Sequence, residues 1–268
     1  MYGSVMSTMW MHLILSLLLP SLISAYPSEG VAVTDRYWDC CKPSCSWKAK
    51  ASFNSPVVSC DSNNNRLSDF DAGTGCNGGT AFVCADQSPW AVNDTFSYGF
   101  VGAALTGHVE DAWCGACYQL DFTSGDVVGK RMVVQAHNTG YDIHDANRFA
   151  LAVPGGNTSY AGACALQYGV SNTVFGEENV GLSTASQCDQ LPKALQAPCH
   201  WRFDWFKDAD RPTTNFTRVA CPIELTSRTG TIRDDDTTFA TESSAQACVH
   251  APYLLAAIIT LLSGIITA

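Results

Sequence analysis

The segment RYWDCCKPSCSW, which runs from Arg36 to Trp47, combines aromatic residues, a carboxylate and three cysteines. Asp39 is the carboxylate, and it directly follows Tyr37 and Trp38. Aromatic rings can cover the apolar faces of sugars, and a fixed carboxylate beside them can exchange a proton. These residue types therefore suit a carbohydrate-binding cleft. An ordinary disulfide-stabilised surface loop is the alternative that the segment alone leaves open.

Further segments extend this pattern along the chain from about residue 33 to residue 235. They are DFDA at 69–72, CADQSPWAVND at 84–94, MVVQ at 132–135, PGG at 154–156 and HWRFDWFKDAD at 200–210. Together with the first segment they resemble glycoside hydrolase family 45, a family of small secreted endo-β-1,4-glucanases. The resemblance implies an all-β fold, a six-stranded double-psi β-barrel with a long open groove and an inverting hydrolysis.

Inverting hydrolysis uses two carboxyl groups, a general base that activates water and a general acid that protonates the departing oxygen. They stand about 6.5–9.5 Å apart on opposite sides of the scissile bond. The resemblance implies that Asp39 is the base and that Asp142 is an auxiliary catalytic carboxylate of the cleft. It also implies that Tyr37, Lys42 and Trp47 bind the substrate.

The position of the general acid departs from the family pattern. Where the family has His-Phe-Asp-Leu, this chain has RFAL at 148–151, so Ala150 replaces the acid and Arg148 replaces the neighbouring histidine. The loop before this stretch is one residue longer than in the family. Asp35 stands where the family usually has threonine, and it would raise the pKa of Asp39 by like-charge repulsion if the two carboxylates were close.

Three interpretations follow from this substitution. Another group could supply the proton, with Asp142, His144 and Asp145 as candidates, since loss of a general acid typically costs about 10²–10⁴ in rate. The groove could instead bind or loosen glucan chains without hydrolysis, as in expansin-like proteins that share this barrel. A surface structural or adhesive protein is the third interpretation. We favour an endo-β-1,4-glucanase acting on cellulose or a related β-glucan, with the non-hydrolytic glucan binder as the alternative.

The cysteines indicate a disulfide-bonded, exported domain. All of the 13 cysteines except Cys248 lie between Cys40 and Cys221, which leaves an even set. An even set in a secreted domain predicts six disulfides, although spacing alone does not give their pairing. Zinc binding by the closely spaced cysteines at 40–45 and 114–117 is the competing interpretation.

The family resemblance supplies a pairing. It implies the bridges Cys40–Cys164, Cys41–Cys76, Cys45–Cys114, Cys60–Cys84, Cys117–Cys221 and Cys188–Cys199. Family members often have a seventh bridge, whose two positions fall at Gly115 and Thr231 in this chain. Both partners are therefore absent together, and no stray thiol is left.

The two ends of the chain carry processing signals. The apolar run 13–25 ends in Ile-Ser-Ala and predicts a cleaved signal peptide over 1–25. The apolar run 253–268 is too short for a usual membrane span and follows small residues and a spacer, which predicts a GPI anchor attached near Ser243 or Ser244. A short tail anchor or a buried terminal helix is the alternative.

These signals divide the chain into four parts. They are a signal peptide over 1–25, a family 45-like domain over 26–233, a short stalk over 234–244 and an anchor propeptide over 245–268. Acceptor sequons for N-glycosylation stand at Asn93, Asn157 and Asn215. A net charge of −10 and a pI near 4.8 argue against nucleic acid as a partner. We expect a monomer that binds a β-glucan, needs no cofactor and meets the membrane only through its lipid anchor.

Periodicity predicts a β-rich domain with long disulfide-tied loops and few short helices. Short apolar runs bounded by turn residues predict strands over 116–122, 127–136 and 216–223. A helical pattern over 185–197 is interrupted by Pro192.

Overall fold

A computed structural model of the protein describes residues 26–140, 145–157 and 161–239. The predicted signal peptide, the predicted anchor propeptide, Asp142 and His144 lie outside these ranges. Within them, no helix combines the length and the apolar character that a membrane crossing requires.

Strands of one sheet form the body of the domain. They are β1 (Glu29–Tyr37), β2 (Trp90–Ala91), β3 (Phe96–Ala104), β4 (Cys117–Phe122), β5 (Arg131–Thr139), β6 (Arg148–Ala152) and β7 (Thr213–Val219). Their order is β2-β3-β5-β4-β7-β1-β6, and an additional pairing of β3 with β6 closes the six longer strands into a barrel. The pairs β1–β6 and β3–β5 are parallel, and the others are antiparallel. The expectation of an all-β, six-stranded barrel is confirmed.

The three strands predicted from periodicity correspond to β4, β5 and β7, with shifted ends. The run that begins at Val127 opens with a turn, in which Lys130 N–H donates to the Val127 carbonyl, so β5 starts only at Arg131. β7 ends at Val219, and the apolar residue Ile223 begins a helix instead. Periodicity did not indicate β1, β3 or β6.

Alternating residues of the strands fill the barrel with apolar side chains. Tyr118, Phe149 and Phe216 are fully buried there. Their ring centroids lie 5.1–5.9 Å apart. A second apolar cluster lies around Trp38, Phe100 and several of the disulfides. The barrel and its loops therefore have separate cores, and the Tyr37–Cys41 segment belongs to the second one.

Helices are short and lie in the connections. They are α1 (Ala161–Tyr168), α2 (Lys193–Asp204) and α3 (Ile223–Thr229), together with several 3₁₀ turns. The helical pattern predicted over 185–197 divides at Pro192 into a 3₁₀ segment over 185–190 and α2, which continues to Asp204. Proline has no N–H to continue the first helix, but it is well tolerated at the start of the second.

The structure contains the six bridges that the resemblance implies. It also places Gly115 and Thr231, the two positions without cysteines, side by side. A Cβ built on Gly115 would lie 2.8 Å from the Thr231 methyl carbon. Gly115 has a φ of +79°, a conformation that other residues adopt only with strain.

The domain extends past Arg233, where composition placed the start of a solvated stalk. The Asp235 carboxylate accepts hydrogen bonds from Arg218 at 3.0 Å and from Arg233 at 2.9 Å. The Asp236 carboxylate accepts one from the Cys221 N–H at 3.1 Å. These acidic residues, which look solvated in the sequence, accept hydrogen bonds from buried arginines and from a backbone amide of the domain.

Candidate active site

Asp39 is held by the backbone and the disulfides that follow it. Cys40 has a φ of +59°, which turns the chain sharply just after the carboxylate. Its sulfur is bonded to Cys164, and that of Cys41 is bonded to Cys76. The Cys41 N–H donates to Asp39 Oδ1 at 3.0 Å. Two consecutive disulfides thus maintain a strained turn that fixes the direction of the Asp39 side chain.

Burial raises the pKa of Asp39, and the hydrogen bond from Cys41 opposes this shift only in part. A carboxylate that has lost part of its hydration binds a proton more strongly, which favours a role as general base. The expected repulsion from Asp35 is not the cause of the shift, because the Asp35 carboxylate is engaged by Arg148 at 2.6 Å.

The ends of three strands converge at Asp39 and form a small recess. Tyr37 ends β1, Asn138 lies near the end of β5, and Ala152 ends β6. All three line the recess together with Asp39. Residues distant in the sequence therefore meet at one edge of the barrel.

Tyr37 lies at this recess with its hydroxyl already bonded. The hydroxyl is 2.8 Å from His137 Nε2, and Asn138 Nδ2 donates to it at 3.2 Å. His137 Nδ1 is in turn 2.9 Å from Gln87 Oε1. His137, Asn138 and Gln87 were not predicted as site residues, because their contacts with Tyr37 and with one another join segments far apart in the sequence.

Lys42, expected to bind the substrate, is buried beside Trp47 and the 69–72 loop. Its ammonium group donates to the carbonyls of Phe70 at 2.7 Å and Ala72 at 2.9 Å. The same group lies 3.4 Å from the centroid of the Trp47 ring. Lys42 is only 4% exposed. It therefore supports Trp47 and the 69–72 loop.

Trp47 is half-buried and follows the 3₁₀ turn Ser44–Ser46. The Ser44 N–H donates to Asn138 Oδ1 at 2.8 Å, which ties this turn to the recess. With Lys42 packed on its ring, Trp47 is rigid, and its exposed part can stack on a sugar.

The position expected for the general acid is occupied by a methyl group. Ala150 on β6 is the Cα partner of Asp35 on β1 and of Gly102 on β3. Ala150 is 4% exposed. Partners on neighbouring strands project to the same side of a sheet. The ion pair between Arg148 and Asp35 therefore lies on the same face as the missing carboxyl group.

Of the three candidate replacements for the acid, the structure describes only Asp145. It is exposed and lies three residues before β6. Asp142 and His144 lie outside the described residues.

A further carboxylate, Glu110, lies near the end of β5. Thr139 Oγ1 donates to Glu110 Oε1 at 2.9 Å, and Lys50 forms a salt bridge with the other oxygen. Burial would raise the pKa of Glu110, but the hydrogen bonds from Lys50 and Thr139 outweigh it and hold the pKa below its usual range. Glu110 is therefore ionised and is not a proton donor.

Known proteins share this fold and these segments. The model of glycosyl hydrolase family 45 matches residues 31–232. A putative endoglucanase type K from Fusarium oxysporum is 45% identical over 229 residues, which cover 85% of this chain and 60% of the fungal protein. An endoglucanase from Cryptopygus antarcticus is 44% identical over 206 residues, which cover 77% of this chain and 91% of that protein. The chain thus spans less than two thirds of the Fusarium relative.

A solved structure supports the same relationship. The crystal structure of a cellulase from the Antarctic springtail Cryptopygus antarcticus matches with a TM-score of 0.73 and 44% sequence identity. The match covers 78% of this chain and 99% of the springtail chain. By its closed barrel, its sequence segments and these relatives, the chain belongs to glycosyl hydrolase family 45.

Proposed function

We propose that the protein is an endo-β-1,4-glucanase that cleaves cellulose or a related β-glucan with inversion, with Asp39 as general base. The observation that carries the proposal is the position of Asp39, fixed at the recess beside Tyr37 with its pKa raised by burial. Relatives named endoglucanases support the same reaction.

In this reaction the ionised Asp39 removes a proton from water, and the oxygen of that water attacks the anomeric carbon. The bond to the departing sugar breaks on the opposite face of the ring. Because Oδ1 accepts the Cys41 N–H, we assign proton abstraction to Oδ2. Tyr37 and Trp47 present aromatic surface to the sugar rings and place the scissile bond over Asp39.

The proton for the departing oxygen needs a source other than Ala150. Asp35 is an unsuitable donor, because its Oδ2 already accepts an N–H from Arg148 at 2.6 Å. We assign this proton to the segment 142–145, which contains Asp142, His144 and Asp145 as ionisable residues. A donor that is placed less well than the family acid would make the enzyme slower, by up to about 10²–10⁴.

The direct test is release of soluble oligosaccharides from carboxymethylcellulose, barley β-glucan and glucomannan by the purified protein. The Asp39→Ala variant is assayed in parallel between about pH 4 and pH 7, where an Asp base with a raised pKa titrates. Release that disappears in the variant supports the proposal. Equal release by both proteins would remove Asp39 from its role.

The second candidate function is glucan binding or wall loosening without hydrolysis. Ala150 and the neighbouring Arg148–Asp35 ion pair favour it, because they leave the departing oxygen without its usual donor. In that case insoluble glucan would retain the protein, no oligosaccharide would be released, and Asp39→Ala would leave the affinity unchanged.

We also propose that the protein is exported and held at the cell surface by a GPI anchor near Ser243 or Ser244. Six disulfides support export, because such bonds form in oxidising compartments. Release of the protein from cells by phosphatidylinositol-specific phospholipase C is the expected result. Retention on the cells after treatment would contradict the anchor.

A further inference from the structure

A buried chain of hydrogen bonds leads inward from the hydroxyl of Tyr37. His137 on β5 is 0% exposed, and both of its ring nitrogens have partners. Nε2 lies 2.8 Å from the Tyr37 hydroxyl, and Nδ1 lies 2.9 Å from Gln87 Oε1. Gln87 is 0% exposed as well.

The donor and the acceptor of each hydrogen bond in this network follow from the contacts of Gln87 at its buried end. The Gln87 amide nitrogen donates to the Val58 carbonyl at 2.7 Å, so Gln87 Oε1 faces His137 as an acceptor. His137 Nδ1 must then carry the proton, and Nε2 must accept the Tyr37 O–H. Because Asn138 Nδ2 donates to the same hydroxyl, the Tyr37 oxygen both gives and receives a hydrogen bond.

His137 stays in this one neutral form. Burial lowers its pKa to about 3, and the ring of Phe100 packs against it with 5.6 Å between centroids. Protonation would place a second N–H against the Tyr37 hydroxyl and reverse the hydrogen bond between the two side chains. The arrangement is therefore constant over the pH range in which Asp39 ionises as a base.

We propose that His137 is a positioning residue that holds the ring of Tyr37 beside Asp39, so that Tyr37 meets the sugar with its ring face and not with its hydroxyl. This inference rests on the proposed glucanase function. It assigns a role to His137, Asn138 and Gln87, and it specifies which part of Tyr37 recognises the substrate.

The position of the Tyr37 ring matters because only one residue separates it from Asp39 along the chain. A ring free to rotate away would leave the sugar bound but displaced from the base. Misplacement by about 1 Å can cost on the order of 10² in rate. The loss would fall on kcat more than on KM, since Trp47 still binds the polymer.

Two variants with amide side chains distinguish the contributions of the two ring nitrogens of His137. The amide of His137→Gln reaches the position of Nε2 and can still accept the Tyr37 O–H. The amide of His137→Asn reaches only the position of Nδ1 and keeps the Gln87 bond alone. We expect kcat of His137→Gln to remain within about threefold of the wild type, and that of His137→Asn to fall by about tenfold or more, with KM little changed. Equal losses in both variants would overturn the proposal, and so would unchanged kcat in His137→Asn.

A matched control and a second measurement guard against unfolding. His200→Gln changes a histidine on α2 that bonds the exposed Asp189 at 2.8 Å, and it should leave kcat unchanged. In the wild-type protein, ¹⁵N NMR should show His137 protonated on Nδ1 and bare on Nε2 throughout about pH 4–7. A protonated Nε2, or a titration within that range, would overturn the proposal even if both variants failed to fold.

The NMR measurement distinguishes this inference from the proposed function, because it needs no turnover. If the wild type releases no oligosaccharide, the hydrolytic function fails alone, and the protonation of the His137 ring still tests the positioning role. Nδ1 protonated and Nε2 bare is the expected result, and the reverse assignment would overturn the positioning role.

Discussion

Asp35 on β1 and Arg148 on β6 form an ion pair across two parallel strands, with 2.6 Å between Asp35 Oδ2 and Arg148 Nη2. Their side chains are only 16% and 4% exposed. Ala150, the position of the family acid, lies directly opposite Asp35. The resemblance implies that Asp35 and Arg148 both depart from the family pattern, and in this chain the two opposite charges face each other.

Restoring the acid should require removal of this ion pair. In Ala150→Asp alone, Arg148 would bind the new carboxylate and keep it ionised, so we expect little gain in hydrolysis. The triple variant Ala150→Asp, Arg148→His, Asp35→Thr should raise kcat/KM on barley β-glucan by about 10² or more. Ala150→Asn with the same two changes is the control, and an equal gain in that variant would contradict the prediction.

Substrates with good leaving groups give an independent check of the missing acid. A dinitrophenyl β-cellotrioside departs without protonation, so an enzyme with a poor proton donor should cleave it far faster than an unactivated oligosaccharide. We expect the ratio of the two rates to fall sharply in the triple variant. A ratio that is the same in wild type and triple variant would mean that the native enzyme already has an efficient donor.

The pH profile should report Asp39. Because burial raises the pKa of Asp39, the base becomes ionised at a higher pH than an ordinary aspartate does. We expect kcat/KM to rise with pH along a limb displaced above about 3.9, the usual aspartate value. The measurement is a pH series of initial rates on a soluble glucan. A limb at or below that value would assign the titration to another group.

The contribution of Asp39 to the stability of the folded protein should fall as pH rises, whereas the rate that depends on Asp39 should rise. A raised pKa means that the folded state binds the proton more tightly than the unfolded chain. The contribution of Asp39 to stability is therefore present at low pH and is lost as pH rises through the raised pKa. We expect calorimetry to give Asp39→Asn a higher Tm than the wild type at neutral pH, with the difference vanishing in acid. A lower Tm at neutral pH would contradict this.

Replacement of Lys42 should lower the stability of the protein, whereas replacement of Trp47 should lower its affinity for glucan. Lys42→Met leaves two carbonyls without their ammonium donor, and we expect a loss of about 1–3 kcal/mol in the free energy of unfolding. Trp47→Ala should mainly weaken glucan binding. Lys48→Met removes an exposed lysine paired with Asp71 and serves as the control. Similar stability of the Lys42 and Lys48 variants would contradict the buried supporting role.

The three sequons should differ in occupancy. Asn93 and Asn215 are exposed, whereas Asn157 is half-buried with its Oδ1 enclosed. The backbone of Asn157 also accepts the Trp38 N–H at 2.9 Å, close to the recess. We expect mass spectrometry of the exported protein to find glycans at Asn93 and Asn215 and none at Asn157. A glycan at Asn157 would require that this segment differ from the folded arrangement.

The family resemblance, carried by short sequence segments, implied Asp39 as the base and supplied the pairing of the cysteines that the structure contains. The supporting contacts could not be predicted in this way. Lys42 finds its carbonyl partners some 30 residues away, and Tyr37 finds His137 100 residues away. Such partners are selected by the path of the chain in three dimensions, and no spacing in the sequence specifies them.

The ion pair also explains why periodicity did not indicate β1 and β6. Asp35 and Arg148 place charges within strands whose neighbours are apolar, and a charge in a short run usually indicates a loop. Each charge is accommodated in its strand because the other strand supplies an opposite charge at 2.6 Å. Neither strand is recognisable until its neighbour is known.

The contact between Gly115 and Thr231 bears on how the domain would respond to reduction. Position 115 lies two residues before Cys117, and position 231 lies ten residues after Cys221. A disulfide between positions 115 and 231 would join the same two parts of the chain as the Cys117–Cys221 bond. Family members that have both bridges therefore hold this region by two covalent bonds. In this chain one bond ties α3 and the Thr231 turn to β4. A reductant that opens this bond would therefore remove the one disulfide of this segment among the described residues, and would leave the segment held by hydrogen bonds such as those of Gln135 with Thr229 and Thr231.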